Sequence, residues 1–185
     1  GGLVNIVQGF KRNEEKLVPF FKLRGLIRYQ IIQYLTAFYL IKSTQSKFGS
    51  ITVIAGAFGA FRRSVLIQAK GYRKTVGEDM DITLRIHELI GTSLKNTRII
   101  FVPEAICYTE SPTTSKTLFK PRIRWQKAFV DCVITYRKSF YRKFNFKVSS
   151  FLLLDSLLLG TLSAFPTLIV LILIFVTMNQ LKLFL

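Results

Sequence analysis

Three carboxylates stand close together in the stretch GEDMDITLRIHELIG, which runs from Gly77 to Gly91 and begins a helical pattern. Glu78, Asp79 and Asp81 fall within four residues, although the whole chain has only 10 acidic residues. A partly desolvated carboxylate on a turn before a helix can point into a cleft and take a proton from a hydroxyl group. Acids in the first turn also stabilise a helix through its dipole, so helix capping is an equal explanation.

Basic and aromatic side chains follow about forty residues later, in the stretch RIRW that ends at Trp125. The guanidinium groups of Arg122 and Arg124 could hold a phosphate-bearing leaving group, because they donate several hydrogen bonds in a fixed plane. An exposed indole face could stack on a sugar ring. Basic residues interleaved with aromatic ones are also typical of a solvated or membrane-facing surface, so both interpretations stay open.

The elements that would position these groups alternate between strand and helix patterns, which predicts an α/β fold. Glycine and proline mark several of the expected boundaries. The predicted elements are a strand in LVNIVQ, a helix over 21–42, a loop over 43–50, a buried strand over 51–58, a short helix closed by Gly71, a helix from the acids to Gly91 at its C′ position, a strand over 97–103, a short strand and turn in EAICYTESPTT, and a helical region over 115–140 broken or started at Pro121.

The charge pattern favours a protein at a membrane surface. Half of the residues are hydrophobic and the net charge is +17, yet residues 148–185 carry only Asp155 and Lys182 as charged groups. A basic body followed by an apolar tail is typical of membrane-surface proteins. A nucleic-acid binder, which the charge alone favours, would not explain the tail. Cys107 and Cys132 lack metal-binding spacing, and a lone His87 cannot build a zinc site, so reduced thiols on the cytosolic side are expected.

Two segments are candidates for membrane contact. The helix predicted over 21–42 is apolar enough to lie on a bilayer, with a buried core helix as the equal alternative. The segment from Phe151 to Val176 is long enough to cross a hydrocarbon layer of about 30 Å. It predicts an interfacial piece followed by a span from about Thr161 to Met178, against the alternative of a buried hairpin. The basic cluster YRKSFYRKFNFK before it predicts that this end faces the cytosol.

Four blocks in order, VIAGAFGAFRR, GEDMDITLRIHELIG, FVPEAICYTESPTT and LFKPRIRWQKAF, resemble the membrane-bound family 2 glycosyltransferases. These are the processive synthases of cellulose, chitin, hyaluronan and poly-N-acetylglucosamine. The resemblance implies a partial GT-A-type, Rossmann-like catalytic domain over residues 1–147, with a membrane segment over 148–185. It implies inverting transfer of a sugar from a nucleotide-sugar donor, a UDP-sugar, to a glycan acceptor. The implied setting is a multi-pass protein of the cell membrane whose catalytic part is cytoplasmic, with no nucleic acid as partner.

The resemblance also implies roles for residues of the acidic stretch and the block before it. Asp79 matches the aspartate that serves as general base toward the acceptor hydroxyl, and Glu78 would orient it or cap the helix. Gly56 and Phe58 fall in the loop that faces the acceptor sugar in the family. A tight turn without any ligand is the alternative for Gly56 and Gly59.

The family's Gln-x-x-Arg-Trp motif matches residues 121–125. Arg124, with Arg122 beside it, would contact the donor diphosphate, and Trp125 would stack near the acceptor end. The glutamine position holds Pro121, which offers no side-chain hydrogen bond.

The resemblance further implies a divalent cation, Mg or Mn, bound by aspartates of the donor half. No Asp precedes Asp79, so the ligands of that cation are not in this chain. We therefore expect the chain to be the C-terminal, acceptor-side part of a longer enzyme. The alternative function is a non-catalytic basic module that binds a membrane surface or a partner through residues 116–147, where ten Lys or Arg stand against Asp131 alone.

Overall fold

The computed structural model describes residues 1–13, 16–20, 22–162, 169–170 and 172–177. The chain divides into two compact units, Gly1–Val148 and Ser149–Leu185. The first unit carries all the predicted site residues. The assignment of a catalytic role to one part and a membrane role to the other stays a prediction.

Two small sheets form in the first unit. Strand β1 (Gly2–Ile6) pairs in parallel with β4 (Val102–Thr109), and the helices between them form the crossover that a parallel pair requires. Strands β2 (Phe10–Asn13) and β3 (Lys16–Pro19) form an antiparallel pair, and a short 3-10 turn precedes β2. The parallel pair and its helical crossover confirm the mixed α/β prediction. Strand β4 begins only at Val102, so it overlaps the strand predicted over 97–103 at its end alone and confirms the strand predicted in EAICYTESPTT.

One long helical run occupies residues 25–48. It consists of α1 (Gly25–Tyr34), a π-helical stretch (Leu35–Ile41) and α2 (Lys42–Phe48). The loop predicted over 43–50 is therefore wrong. The helix ends at Gly49, whose φ of 65° is left-handed, and the Ser50 N–H returns to the Gln45 carbonyl at 2.8 Å. A glycine in this conformation ends a helix at low steric cost.

Residues 51–55 belong to none of the strands among the described residues, so the strand predicted over 51–58 is wrong. Buried backbone groups need hydrogen-bond partners. Here side chains of two helices supply them in place of a neighbouring strand. They are His87 Nε2 at 2.7 Å from the Ile51 carbonyl, Thr83 Oγ1 at 3.0 Å from the Ile54 N–H, and Lys42 Nζ, which donates to the Val53 carbonyl.

The core lies between residues 51–55, α3 (Arg63–Gln68) and α4 (Glu78–Thr92). Helix α3 is followed by Gly71 with a left-handed φ of 66°, as predicted. The predicted apolar face of α4 is confirmed, because Ile82 and Ile86 are fully buried and Leu89 and Ile90 pack against them. The buried cluster consists of Ile51, Ile54, Val65, Ala69, Ile82, Ile86 and Ile99.

Gly91 does not end α4, contrary to the prediction. The helix continues to Thr92 and Ser93 caps it, with the Ser93 N–H bonded to the Leu89 carbonyl at 2.7 Å. A Cβ atom added at Gly91 would lie only 1.8 Å from the backbone oxygen of Lys143. The glycine therefore allows close approach of another segment.

We expect Gly91→Ala to lower the free energy of unfolding by about 1–3 kcal/mol, because the new methyl group must displace the backbone at Lys143. Chemical denaturation of the purified protein measures this change. Gly25→Ala is the matched control, since a Cβ at Gly25 meets nothing within 4 Å. Its expected effect is within about 0.5 kcal/mol. Equal effects of the two substitutions would contradict the close contact at Gly91.

Helix α5 (Ser115–Tyr136) begins before Pro121, so the prediction that the proline breaks or starts this helix is wrong. The Thr114 side chain caps it by accepting from the Thr117 N–H at 3.3 Å. Pro121 lies inside the helix. Because proline has no backbone N–H, one carbonyl of the preceding turn lacks its usual hydrogen-bond donor.

The chain continues with α6 (Phe146–Ser150) and a π-helical stretch (Phe151–Leu162). Among the residues described, no helix combines the length and the apolarity needed to cross a membrane. The predicted span from about Thr161 to Met178 falls partly outside the described residues.

Candidate active site

Asp79 lies in the first turn of α4, partly buried, with both carboxylate oxygens hydrogen-bonded to backbone. Its Oδ2 accepts from the Gly56 N–H at 3.2 Å, and its Oδ1 accepts from the Met80 N–H at 2.8 Å. The Asp79 carbonyl also accepts from the Thr83 hydroxyl at 2.7 Å. These bonds hold the carboxylate in one orientation between the helix start and the loop that contains Gly56.

That loop is a tight turn from Ala55 to Phe58, closed by a hydrogen bond of 3.0 Å from the Phe58 N–H to the Ala55 carbonyl. A side chain at Gly56 would stand 3.7 Å from the Asp79 carboxylate oxygen, so the glycine keeps the space before that oxygen open. The Phe58 ring instead lies over Gly2 of β1. The structure thus brings Gly56 to Asp79, but it places the Phe58 ring against the sheet.

Helix α5 packs directly against the start of α4. A Cβ at Gly77 would lie 2.5 Å from the Ala128 Cβ, so the two helices touch at this point. Trp125 lies one turn earlier on α5, 44% exposed, on the helix face that also carries Ala128, Cys132 and Tyr136. Burial and the charges of Asp81, Asp131 and Asp79 raise the pKa of the Cys132 thiol to about 12. The contact at Ala128 and the hydrogen bond of Tyr136 to Asp81 show that this face of α5 packs against the start of α4.

The two arginines before Trp125 differ in their surroundings. The Arg122 guanidinium lies over the Trp125 ring, 5.1 Å from its centroid, and donates to the Gln33 side chain of α1. The Arg124 side chain is exposed and makes no hydrogen bond or ion pair to any described residue. Of the two predicted diphosphate ligands, Arg124 therefore has free donors and Arg122 is already engaged. The Glu78 side chain is exposed and likewise makes no hydrogen bond within the described part of the chain.

Asp81 is the buried acid of the stretch, with its side chain 3% exposed. One oxygen accepts from Arg73 and from the Tyr136 hydroxyl at 2.7 Å, and the other accepts from Arg73 at 3.0 Å and Arg85 at 3.1 Å. Burial alone would raise the pKa of Asp81, but the bonds from Arg73 and Tyr136 and the charge of Arg85 outweigh it and hold the pKa below its usual value. This network ties α4 to α5.

Sequence reasoning did not find this network. The spacing of Asp81 and Arg85, four residues apart on one helix, predicts an ion pair. Tyr136 and Arg73 carried no such signal, because their contact with Asp81 depends on how α5 and the loop before α4 fold back. The three acids therefore divide into one exposed, one partly buried and oriented, and one fully buried carboxylate.

The divalent cation that the resemblance implies has no set of ligands among the described residues. Within the described ranges, no group of three or more His, Cys, Asp or Glu side chains could hold a metal ion.

Comparison with known proteins gives a consistent result. A family model described as "Glycosyl transferase family group 2" matches residues 21–182. A poly-beta-1,6-N-acetyl-D-glucosamine synthase of Staphylococcus aureus (strain COL) is 31% identical over 100 residues, and one of Staphylococcus epidermidis is 33% identical over 100 residues. Each match covers 53% of this chain and 23% of the relative. The matched part thus spans about a quarter of the length of these curated relatives.

Proposed function

The chain belongs to glycosyl transferase family group 2, and on that premise we propose that it is the acceptor-side part of an inverting glycosyltransferase. The enzyme moves a sugar from a nucleotide-sugar donor to a growing glycan at the cytoplasmic face of a membrane. One observation carries this proposal. The oriented carboxylate of Asp79 stands at the end of α4 that packs against α5, the helix of Arg124 and Trp125.

The proposed reaction is a single displacement. An acceptor hydroxyl oxygen attacks the anomeric carbon of the donor sugar, and the bond from that carbon to the nucleoside diphosphate breaks. Asp79 takes the hydroxyl proton, while Arg124 stabilises the charge that develops on the leaving diphosphate. Trp125 provides a flat apolar face for the acceptor sugar. Because attack and departure occur on opposite sides of the carbon, the configuration inverts.

The bonds to Asp79 suit this role. A carboxylate oxygen has two lone pairs, so Oδ2 can accept from the Gly56 N–H and still face a substrate hydroxyl. The Gly56 bond is 3.2 Å long, and the missing side chain leaves room for a sugar in front of it. A general base must be within hydrogen-bond reach of the proton it removes, and an oriented carboxylate meets that need without rearranging.

The donor that we propose to test first is UDP-N-acetylglucosamine. The support is that the matched relatives are poly-beta-1,6-N-acetyl-D-glucosamine synthases. The residues of the site suit a UDP-sugar and a glycan in general, because Arg124 can bind the diphosphate and Trp125 can stack on a sugar ring.

A lipid bilayer is the proposed setting. The helical run over residues 25–48 exposes large apolar side chains on its outer face, among them Tyr29 at 53%, Ile32 at 63% and Leu40 at 56%. Lys22, Arg24 and Arg28 lie near its start and would meet anionic headgroups. Apolar residues beside basic ones are typical of helices that lie in a membrane interface.

Membrane fractions containing the natural protein, supplied with radiolabelled UDP-sugars, test the function. The proposal predicts incorporation of one sugar into material of high molecular weight. If no donor is used while the protein still binds anionic vesicles, the non-catalytic membrane-surface module becomes the better account.

Arg124→Ala is expected to lower the initial rate of transfer by about 10²–10³-fold, because the leaving diphosphate loses a charged donor. Lys127→Ala is the matched control, since Lys127 is also an exposed cation of α5. We expect its rate to stay within about threefold of the unmodified protein. Equal losses in both variants would show that general positive charge, and not a specific Arg124 contact, is what matters.

A further inference from the structure

The helical run over residues 25–48 keeps one face turned toward the rest of the unit along its whole length. In a uniform α-helix, each step of four residues rotates the side chain by about 40° from its predecessor. The π-helical stretch Leu35–Ile41 has more residues per turn and offsets that drift. The inward-facing residues are Ile27, Gln30, Tyr34, Phe38, Lys42 and Gln45.

Lys42 is the only cation on that face, and its surroundings are largely apolar. Its Nζ donates to the Val53 carbonyl, and its side chain lines a small cavity together with Phe38, Ile54 and Phe101. Removing an ammonium group from water is costly unless it gains partners. A leucine or methionine would fill this position without that cost, so the charge has a use beyond packing.

The Val53 carbonyl is part of the backbone that leads to Gly56 and Asp79. Of the three side chains that hold residues 51–55, His87 and Thr83 come from α4, the helix that also carries Asp79. Lys42 holds the same backbone from the other side, from the helical run. Three residues after Val53, the Gly56 N–H donates to the Asp79 carboxylate.

We propose that Lys42 is a positioning residue of the transfer reaction, which holds the backbone at Val53 so that the Gly56 N–H keeps the Asp79 carboxylate turned toward the acceptor. This inference rests on the proposed function. Lys42 touches neither the substrate nor the reacting atoms in this role. It acts through the loop, and it connects the helical run with the apolar outer face to the candidate base.

Electrostatics gives this role a pH signature. Burial lowers the pKa of Lys42 to about 8, and the opposing attraction of Asp79 is the smaller effect. The charged group that faces Lys42 is the Asp79 carboxylate on α4. The protonated form donates the stronger bond to the Val53 carbonyl. Activity should therefore be full below the pKa and decline as the pH rises through about 8.

The test uses the natural protein in membrane fractions and compares Lys42→Met and Lys42→Arg with Lys47→Met. Lys47 is an exposed lysine of the same helix and serves as the matched control. Initial rates are measured on both sides of pH 8. We expect Lys42→Met to lower kcat by about ten- to a hundredfold and to lose the alkaline decline. We expect Lys42→Arg to retain activity and to move the decline to higher pH, and Lys47→Met to change neither.

Unchanged kcat and an unchanged pH profile in Lys42→Met would overturn the proposal. If that variant does not fold, Lys42→Arg decides, and an alkaline decline that stays at the same pH overturns it. The outcome is separable from failure of the proposed function. Loss of transfer in Asp79→Asn with normal transfer in Lys42→Met rejects the role of Lys42 alone. Normal transfer in Asp79→Asn rejects Asp79 as the base, and absence of transfer by the unmodified protein rejects the function itself.

Discussion

Replacing Asp79 with asparagine is expected to lower the rate of sugar transfer by about 10²–10⁴-fold and to leave the fold intact. Asparagine has nearly the same shape, and its amide oxygen can still accept the Gly56 N–H bond that is 3.2 Å long in the structure. It lacks a basic carboxylate, however, so it cannot take the proton from the acceptor hydroxyl. The measurement is the initial rate of incorporation of labelled sugar at saturating donor.

Glu78→Gln is the matched control for this substitution, because Glu78 is the neighbouring acid and is exposed. We expect its rate to fall by less than about tenfold, since it makes no hydrogen bond to a described residue and lies at the helix start as a capping charge. A normal rate in Asp79→Asn together with a large loss in Glu78→Gln would show that Glu78, and not Asp79, is the base.

Asp81→Ala is expected to have the largest effect on stability, lowering the free energy of unfolding by about 3 kcal/mol. The substitution removes the carboxylate acceptor of the buried Tyr136 hydroxyl and the ion-pair partner of Arg85, whose side chain is 13% exposed. Arg73 contributes less to the loss because its side chain is 46% exposed and water can replace the carboxylate. Chemical denaturation followed by circular dichroism measures the change.

Asp131→Ala is the control, since Asp131 is an exposed carboxylate on α5, and its expected effect is within about 0.5 kcal/mol. An acid titration adds a second check. Because the folded protein holds the pKa of Asp81 below its usual value of 3.8, the stabilisation is complete above that value and is lost as the pH falls through the lowered pKa. Asp81→Ala should lack this component, and equal acid sensitivity in both proteins would contradict the network.

The sequence predicts the helices of this fold better than its strands, and the reason is local. The apolar spacing of Ile82 and Ile86 and the acids before them lie within one element, so the pattern shows α4 directly. Residues 51–55 have the composition of a strand, but the partner of the Ile51 carbonyl is the His87 side chain, 36 residues away. No local pattern distinguishes a backbone held by side chains from one held by a neighbouring strand.

Two glycines show the same limit. Gly91 was expected to end a helix and instead admits the Lys143 backbone, while Gly49 ends a helix in a stretch that was expected to be a loop. The residue type alone does not show whether a glycine is needed for a positive φ or for a close contact with another segment. Both needs arise from geometry that only the folded chain defines.

The candidate site divides in the same way between local and long-range information. The acids and the RIRW stretch were readable from residue types and spacing. That Asp79 is oriented by Gly56 while Asp81 is buried with Tyr136 became visible only with α4 and α5 packed together. The residues around Lys42 in the sequence do not predict its role, because its partner Val53 lies in a different segment of the chain.

The central claim is that the Asp79 carboxylate faces the acceptor hydroxyl beside Trp125. The most direct measurement is a structure of the natural protein with a short glycan acceptor bound. The account predicts the terminal hydroxyl within about 2.6–3.2 Å of an Asp79 oxygen, with the sugar ring against the indole. An acceptor bound elsewhere, with its hydroxyl out of hydrogen-bonding reach of Asp79, would contradict the account.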